Sequence, residues 1–169
     1  MSKEWIEDVP DFYKGYLLLA EENNAAEGLT NSIIELNTAL ENVEEEAANS
    51  SYANGKWSLK EVLLHICDTE RIFQYRMLSI ARGEEQNLLG FDQDNYVAKS
   101  NANSRSLISL LEELNALRAS GISLFNSLNE QTLKAKGMAN GFMAQPIFYG
   151  YMLTGHMRHH IQVIKDRYL

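Results

Sequence analysis

Four histidines are the residues best able to do chemistry in this chain, and His156, His159 and His160 fall within five positions. On a helix His156 and His160 stand four apart, on one face and one turn apart, within reach of a common ion. His159 lies near the same face, so spacing alone does not choose between it and His160. His65 is far away in sequence and sits between Leu64 and Ile66. An ionisable ring among apolar neighbours costs free energy unless something binds it. A lone histidine of this kind is more often a satisfied core side chain than a ligand, and a His-x-x-x-His pair occurs in many proteins without metal. Three neutral imidazoles brought together would leave a divalent ion its full charge and an open position for water or substrate.

Neighbouring residues carry weaker signals. Asp68, three after His65, can approach such an ion or orient a ligand ring; its plainer role is a surface ion pair with Arg71. Cys67 sits about 200° round the helix from His65 and reads as packing. Glu61, four before His65, is explained by a helix cap. Phe91, Asp92 and Tyr96 can line the mouth of a pocket, and Gly155 before His156 suits close helix approach. The sequence holds no phosphate loop, nucleophile elbow or CxxC motif.

The elements that must position the histidines are helical. Apolar residues follow a helical rather than an alternating period, and only two prolines interrupt the chain. A short helix is expected over about residues 11–22, after Pro10. A second is expected over about 30–48, with Ile33, Ile34, Leu36, Leu40 and Val43 as its stripe. The third starts at Ser58, where Ser58 and Glu61 form a capping box and Trp57 and Val62 occupy the staple positions, and it stops near Arg82-Gly83. A fourth spans about 104–128 and carries Leu107, Leu110, Leu111, Leu114, Leu117 and Leu124. The last, about 146–167, begins with Pro146 at a first-turn position where a missing N–H costs nothing. The connections 83–103 and 129–145 are too long for simple hairpins and must cross the bundle or cover an end. His65 and His160 each lie roughly 10 Å from opposite ends of their helices, so they share a level only if those helices are antiparallel. That requires a crossover and gives an up-down-down-up four-helix bundle with the short N-terminal helix outside.

Composition narrows the function. A chain of 169 residues fits one domain, 1–169. Its net charge of −8 disfavours a nucleic-acid backbone as partner. A single cysteine suits a reducing cytosol, and the acidic N-terminal stretch broken by Pro10 reads as no signal peptide. The apolar runs are too short to span a bilayer. A cytoplasmic globular domain acting on a small molecule is the expectation.

Three segments in order, GKWSLKEVLLHICDTERIFQYRMLSIARGE, GFDQDNYV and GHMRHHIQVIKDRYL, resemble the DinB-like metal-binding superfamily, the YfiT-type metalloenzymes. The resemblance rests on a tryptophan before the helix, the pattern H-x-x-D-x-E and a final G-H-x-x-H-H-x-Q, and it runs over about residues 29–169. It implies a four-helix bundle of up-down-down-up topology and a metal held by His65, His156 and His160, with His159 as a neighbour. It also implies nickel or zinc as the ion, a homodimer, and a transferase or isomerase using a low-molecular-weight thiol and a small electrophile. The alternatives are a metal-dependent hydrolase, with Asp68 or His159 handling protons, and a non-catalytic metal-binding bundle.

Overall fold

Ser58 sets the start of the helix that bears His65. Its Oγ accepts from the Glu61 N–H (3.1 Å), and its own N–H donates to Glu61 Oε2 (2.7 Å), so two otherwise orphaned donors are satisfied reciprocally. The computed structural model describes residues 4–7 and 9–169. Met1, Ser2, Lys3 and Asp8, part of the stretch read as no signal peptide, lie outside the described residues. In chain order the helices are α1 (Asp11–Leu18), α2 (Ala25–Leu40), α3 (Glu45–Ala48), α4 (Leu59–Ala81), α5 (Gln93–Lys99), α6 (Leu107–Asn126), α7 (Glu130–Leu133) and α8 (Pro146–Arg167). Two short strands, β1 (Gly137–Ala139) and β2 (Phe142–Ala144), form an antiparallel hairpin.

The long helices α2, α4, α6 and α8 form a four-helix bundle, with α1 packed outside against α8. Cross-helix pairs fix the directions. Along α4 and α6, Cys67 meets Leu110 and Gln74 meets Leu117, so the two helices run in the same direction. Along α4 and α8, Phe73 meets Tyr149 and His65 meets His156, so these two run in opposite directions. Asn37–Asn115 and Ser32–Arg118 make α2 antiparallel to α6. The segment between α4 and α6 therefore returns along the bundle, and Ser58 Oγ holds its far end through Asn103 Oδ1 (2.6 Å).

Several boundaries differ from the sequence expectation, each for a local reason. The α2 helix begins at Ala25 because Asn24 caps it, accepting from the Ala26 N–H (3.0 Å). It ends at Leu40, ahead of an acidic run that a helix C-terminus disfavours. Glu45 of that run instead pairs with buried Lys60 and accepts from the Leu107 N–H (2.8 Å). The stripe of α2 is Leu29, Ile33, Leu36 and Leu40, whereas Ile34 points outward at 57 % exposure. The α1 helix stops at Leu18, and the carbonyl of Leu19 goes to Arg158 (2.8 Å). The connection 129–145 contains the hairpin, turned by Asn140-Gly141, both at positive φ (52° and 82°). Its Met138 and Asn140 bond the backbone of Leu88, tying the two long connections together over one end of the bundle.

The core has two apolar clusters. One gathers residues such as Leu29, Met77, Phe148 and Leu153; the other gathers Leu36, Leu63, Leu110 and Ile164. Between them lies a polar layer. Arg118 of α6 pairs with Glu70 of α4 and donates to Leu29 O (2.9 Å) and Ser32 Oγ (2.7 Å) of α2 and Leu153 O (3.2 Å) of α8. One buried guanidinium thus touches all four bundle helices.

Candidate metal centre

The antiparallel packing of α4 on α8 brings His65 opposite the His156/His160 face. His65 Nε2 lies 3.1 Å from His156 Nε2, and His160 Nε2 lies 3.1 Å from the same atom. The possible ligand atoms of the three rings all fall within 4.8 Å of one another. His65 and His156 are buried and His160 is half-buried. Burial pushes the His65 imidazole down to about 4 and holds His156 and His160 well below the ordinary histidine range. The rings are therefore neutral near pH 7, with lone pairs available.

Three Nε2 atoms converging this closely cannot all satisfy one another, because a neutral imidazole donates through only one nitrogen. A divalent cation would satisfy them. A tetrahedral ion with N ligands at about 2.0–2.1 Å separates those nitrogens by roughly 3.3 Å, close to the spacing seen. Imidazole donors suit zinc, copper, iron or nickel. His160 Nδ1 is buried without a hydrogen-bond partner among the described residues, so packing rather than an acceptor orients that ring.

The surroundings hold the trio in place. Between His156 and His160, Arg158 donates to Glu22 and Glu35 (2.6–3.0 Å), fixing the rotation of α8 against α2. Its hydrogen bonds push the Glu22 carboxyl down to about 2. Gly155 lets α1 approach α8: a Cβ there would lie 1.9 Å from the Tyr16 carbonyl oxygen. Tyr16 consequently reaches His156 (ring centroids 5.9 Å) and His159 (5.1 Å). The Trp57 ring packs against His65, tilted at 44° with centroids 5.1 Å apart.

A cavity of about 280 Å³ reaches His65 and His156 and is walled by Tyr13, Tyr16, Phe73 and Phe91 together with Thr69 and Arg76. A second, of about 260 Å³, reaches His159 and His160 beside Trp57. His159 stays outside the three-His cluster. Asp68 faces Arg71 (4.0 Å) and lines neither cavity. Burial raises its carboxyl pKa. Cys67 is buried with its Sγ 4.0 Å from Leu110 O, and burial pushes its thiol up to about 12. Of the loop residues, Phe91 lines the first cavity, Asp92 caps α5 through the Asn95 N–H (3.1 Å), and Tyr96 packs on Phe91. Sequence reading passed over Glu70, Arg76, Arg118 and Arg158. Glu70 stood in the H-x-x-D-x-E pattern, while the three arginines carried no signal of burial.

A buried three-histidine cluster on the facing helices of a four-helix bundle defines a class, and residues 29–164 match the DinB superfamily; the chain belongs to it. Among solved structures the chain is similar to YfiT from Bacillus subtilis, described as a probable metal-dependent hydrolase with an unusual four-helix bundle topology. The likeness has a TM-score of 0.74 at 16 % identity and covers 95 % of this chain and 88 % of that one. A comparison with curated proteins found no match. No helix among the described residues is long and apolar enough to cross a membrane.

Proposed function

We propose that this chain is a divalent-metal enzyme that joins a low-molecular-weight thiol to a small electrophile, with His65, His156 and His160 holding zinc or nickel. The observation that carries the reading is a neutral three-histidine cluster opening on a cavity that lacks a nucleophile of its own. Cys67 lies on another face of α4 with a protonated thiol. The Thr69 hydroxyl in the cavity wall has no hydrogen-bonded partner to activate it. The nucleophile must then come from outside the chain, and when bound the ion supplies the means of lowering the pKa of a coordinated thiol or water toward neutrality. The histidines bind and orient, Tyr16, Phe73 and Phe91 give the chamber its aromatic wall, and Arg158 fixes the level of His156 and His160. Asp68 stands outside that chamber beside Arg71, and no proton step is assigned to it. In the transfer a carbon–sulfur bond forms as the S–H bond breaks. An unsaturated electrophile takes up a proton on the atom that receives its displaced π pair; a saturated one releases its leaving group with the bonding pair while the thiol proton passes to solvent.

Hydrolysis is the second reading, favoured by the description of YfiT. Both are decided by one assay: protein loaded with zinc or nickel, a panel of cellular thiols with a chromogenic electrophile, and ester, amide and phosphoester substrates without thiol. Thiol-dependent turnover lost in His65→Ala is the expected result. Turnover confined to the hydrolytic series would transfer the assignment to a hydrolase. Silence in both series with metal in place would make the bundle a non-catalytic metal binder.

A further inference from the structure

The wall of the first cavity carries a charge that the metal reading leaves unused. Arg76 is 3 % exposed and lines the cavity that reaches His65 and His156. Buried guanidinium groups elsewhere in this fold have carboxylates, as Arg118 has Glu70. Among the described residues no carboxylate pairs with Arg76. Its Nη2 donates to the Leu89 carbonyl oxygen (2.6 Å), and its guanidinium carbon lies 5.6 Å from the Phe73 ring centroid. A guanidinium has five N–H donors, so the rest remain for something in the cavity. On the same cavity wall, Thr69 is 2 % exposed and its buried Oγ1 has no hydrogen-bond partner. A buried cation with no carboxylate to offset its charge and a buried hydroxyl with no hydrogen-bond partner both cost free energy unless a ligand supplies the complement.

The positions fit one ligand. His65, Thr69, Phe73 and Arg76 follow one another at spacings of four, four and three, a single face of α4. Eleven positions at about 1.5 Å each put the Cα atoms of His65 and Arg76 roughly 16 Å apart. A long helical side chain leans toward the helix N-terminus, as the Phe73 contact of Arg76 shows, so the guanidinium is carried toward the histidine end of the cavity. Aromatic side chains line the space between.

We propose that Arg76 and Thr69 form an anion subsite that takes the carboxylate of a small aryl or alkyl acid, whose other end reaches the histidine cluster. One guanidinium matches one negative charge; a phosphate dianion would leave a second charge with no second cationic side chain among the described residues of the cavity lining. The planar fork of arginine suits a carboxylate in two parallel hydrogen bonds, with the Thr69 hydroxyl donating a third. The subsite rests on reading this cavity as the substrate chamber and narrows that substrate to acids.

Calorimetry with phenylacetate, phenylacetamide and phenyl phosphate, on chelator-treated and on zinc-loaded protein, tests it. Phenylacetate should bind even the metal-free protein, roughly tenfold or more tighter than the amide, since a hydrogen-bonded charge pair is worth at least that. Arg76→Gln, which keeps a polar N–H donor but removes the charge, should bring phenylacetate down to the level of the amide, and Arg76→Lys should recover part of the loss. Thr69→Val should weaken the acid severalfold and leave the amide unchanged. Equal affinity for acid and amide, no acid binding at millimolar concentration, or undiminished binding in Arg76→Gln would overturn the subsite. Tighter binding of phenyl phosphate would overturn the choice of carboxylate. Should Arg76→Gln fail to fold, the wild-type acid-to-amide ratio and Thr69→Val decide. Because the metal-free arm needs neither ion nor turnover, acid binding without catalysis would sink the proposed reaction and keep the subsite.

Discussion

Arg118 of α6 and Glu70 of α4 are paired at the centre of the bundle, each side chain only 1 % exposed. Arg118 also donates to Leu29 O and Ser32 Oγ of α2 and Leu153 O of α8, three residues before His156. The pair therefore fixes the heights of α2, α4, α6 and α8 in the layer next to the histidine cluster. Removing one partner strands a buried charge, so Arg118→Met should cost about 3–5 kcal/mol in urea unfolding. Adding Glu70→Leu should restore much of that, because the stranded carboxylate is gone. A double-mutant cycle that is simply additive would show that the two side chains do not act as a unit.

Metal retention separates the histidines. His65→Ala, His156→Ala and His160→Ala should each lose bound zinc by elemental analysis after dialysis, whereas His159→Ala, whose ring packs on Tyr16 outside the cluster, should keep about one ion per chain. Full retention in His65→Ala, or loss confined to His159→Ala, would refute the ligand set.

The buried imidazoles make stability depend on pH. In the unfolded chain each titrates near about 6.5, whereas burial holds His65 down to about 4 and His156 and His160 well below the ordinary range. Below pH about 6.5 the unfolded state binds more protons, so stability is fully present above that value and falls as pH drops. The slope should approach about 1.4 kcal/mol per pH unit for each histidine titrating only in the unfolded chain. Metal binds the deprotonated rings of the folded state, so saturation at about 100 times the dissociation constant should add about 2.7 kcal/mol at neutral pH. Chelator-treated and loaded protein melted at pH 7.5, 6.5 and 5.5 give both effects. Identical melting temperatures with and without chelator, after verified metal removal, would argue against an ion bound in the folded state.

Gly155→Ala tests the approach of α1 to α8. The added Cβ would lie 1.9 Å from the Tyr16 backbone oxygen, and backbone cannot yield as a flexible side chain can. Overpacking of this kind costs about 1–3 kcal/mol. Displacement of α1 should also withdraw Tyr16 from His156, visible as a change in the tyrosine and histidine ring signals by NMR. A variant with unchanged melting temperature and unchanged ring signals would contradict the packing described.

The helix bearing His65 was legible from sequence because its determinants are local. The capping box, the staple positions and the 3.6-residue period act within a few residues of each other, and the structure places the N-cap at Ser58. The histidine spacing likewise put His156 on one face with either neighbour, and the family pattern put His160 beside His65. The Asn24 cap of α2 and the Asn140-Gly141 turn were local signals too, readable but passed over.

Burial of charge was not legible, because nothing within a few residues of Arg118, Arg158 or Arg76 says what will cover it. Only the packing of α6 between α2 and α4 turned Arg118 from a surface residue into the tie of the bundle. The fold of 83–103 against the hairpin placed Leu89 over Arg76 and closed one end of a cavity around it. The sequence by itself determined the helices and the ring nitrogens available to an ion, through short-range periodicity and caps. The tertiary structure decided which of the remaining polar groups were left facing the cavity beside those rings, because burial is a sum over elements distant in the chain.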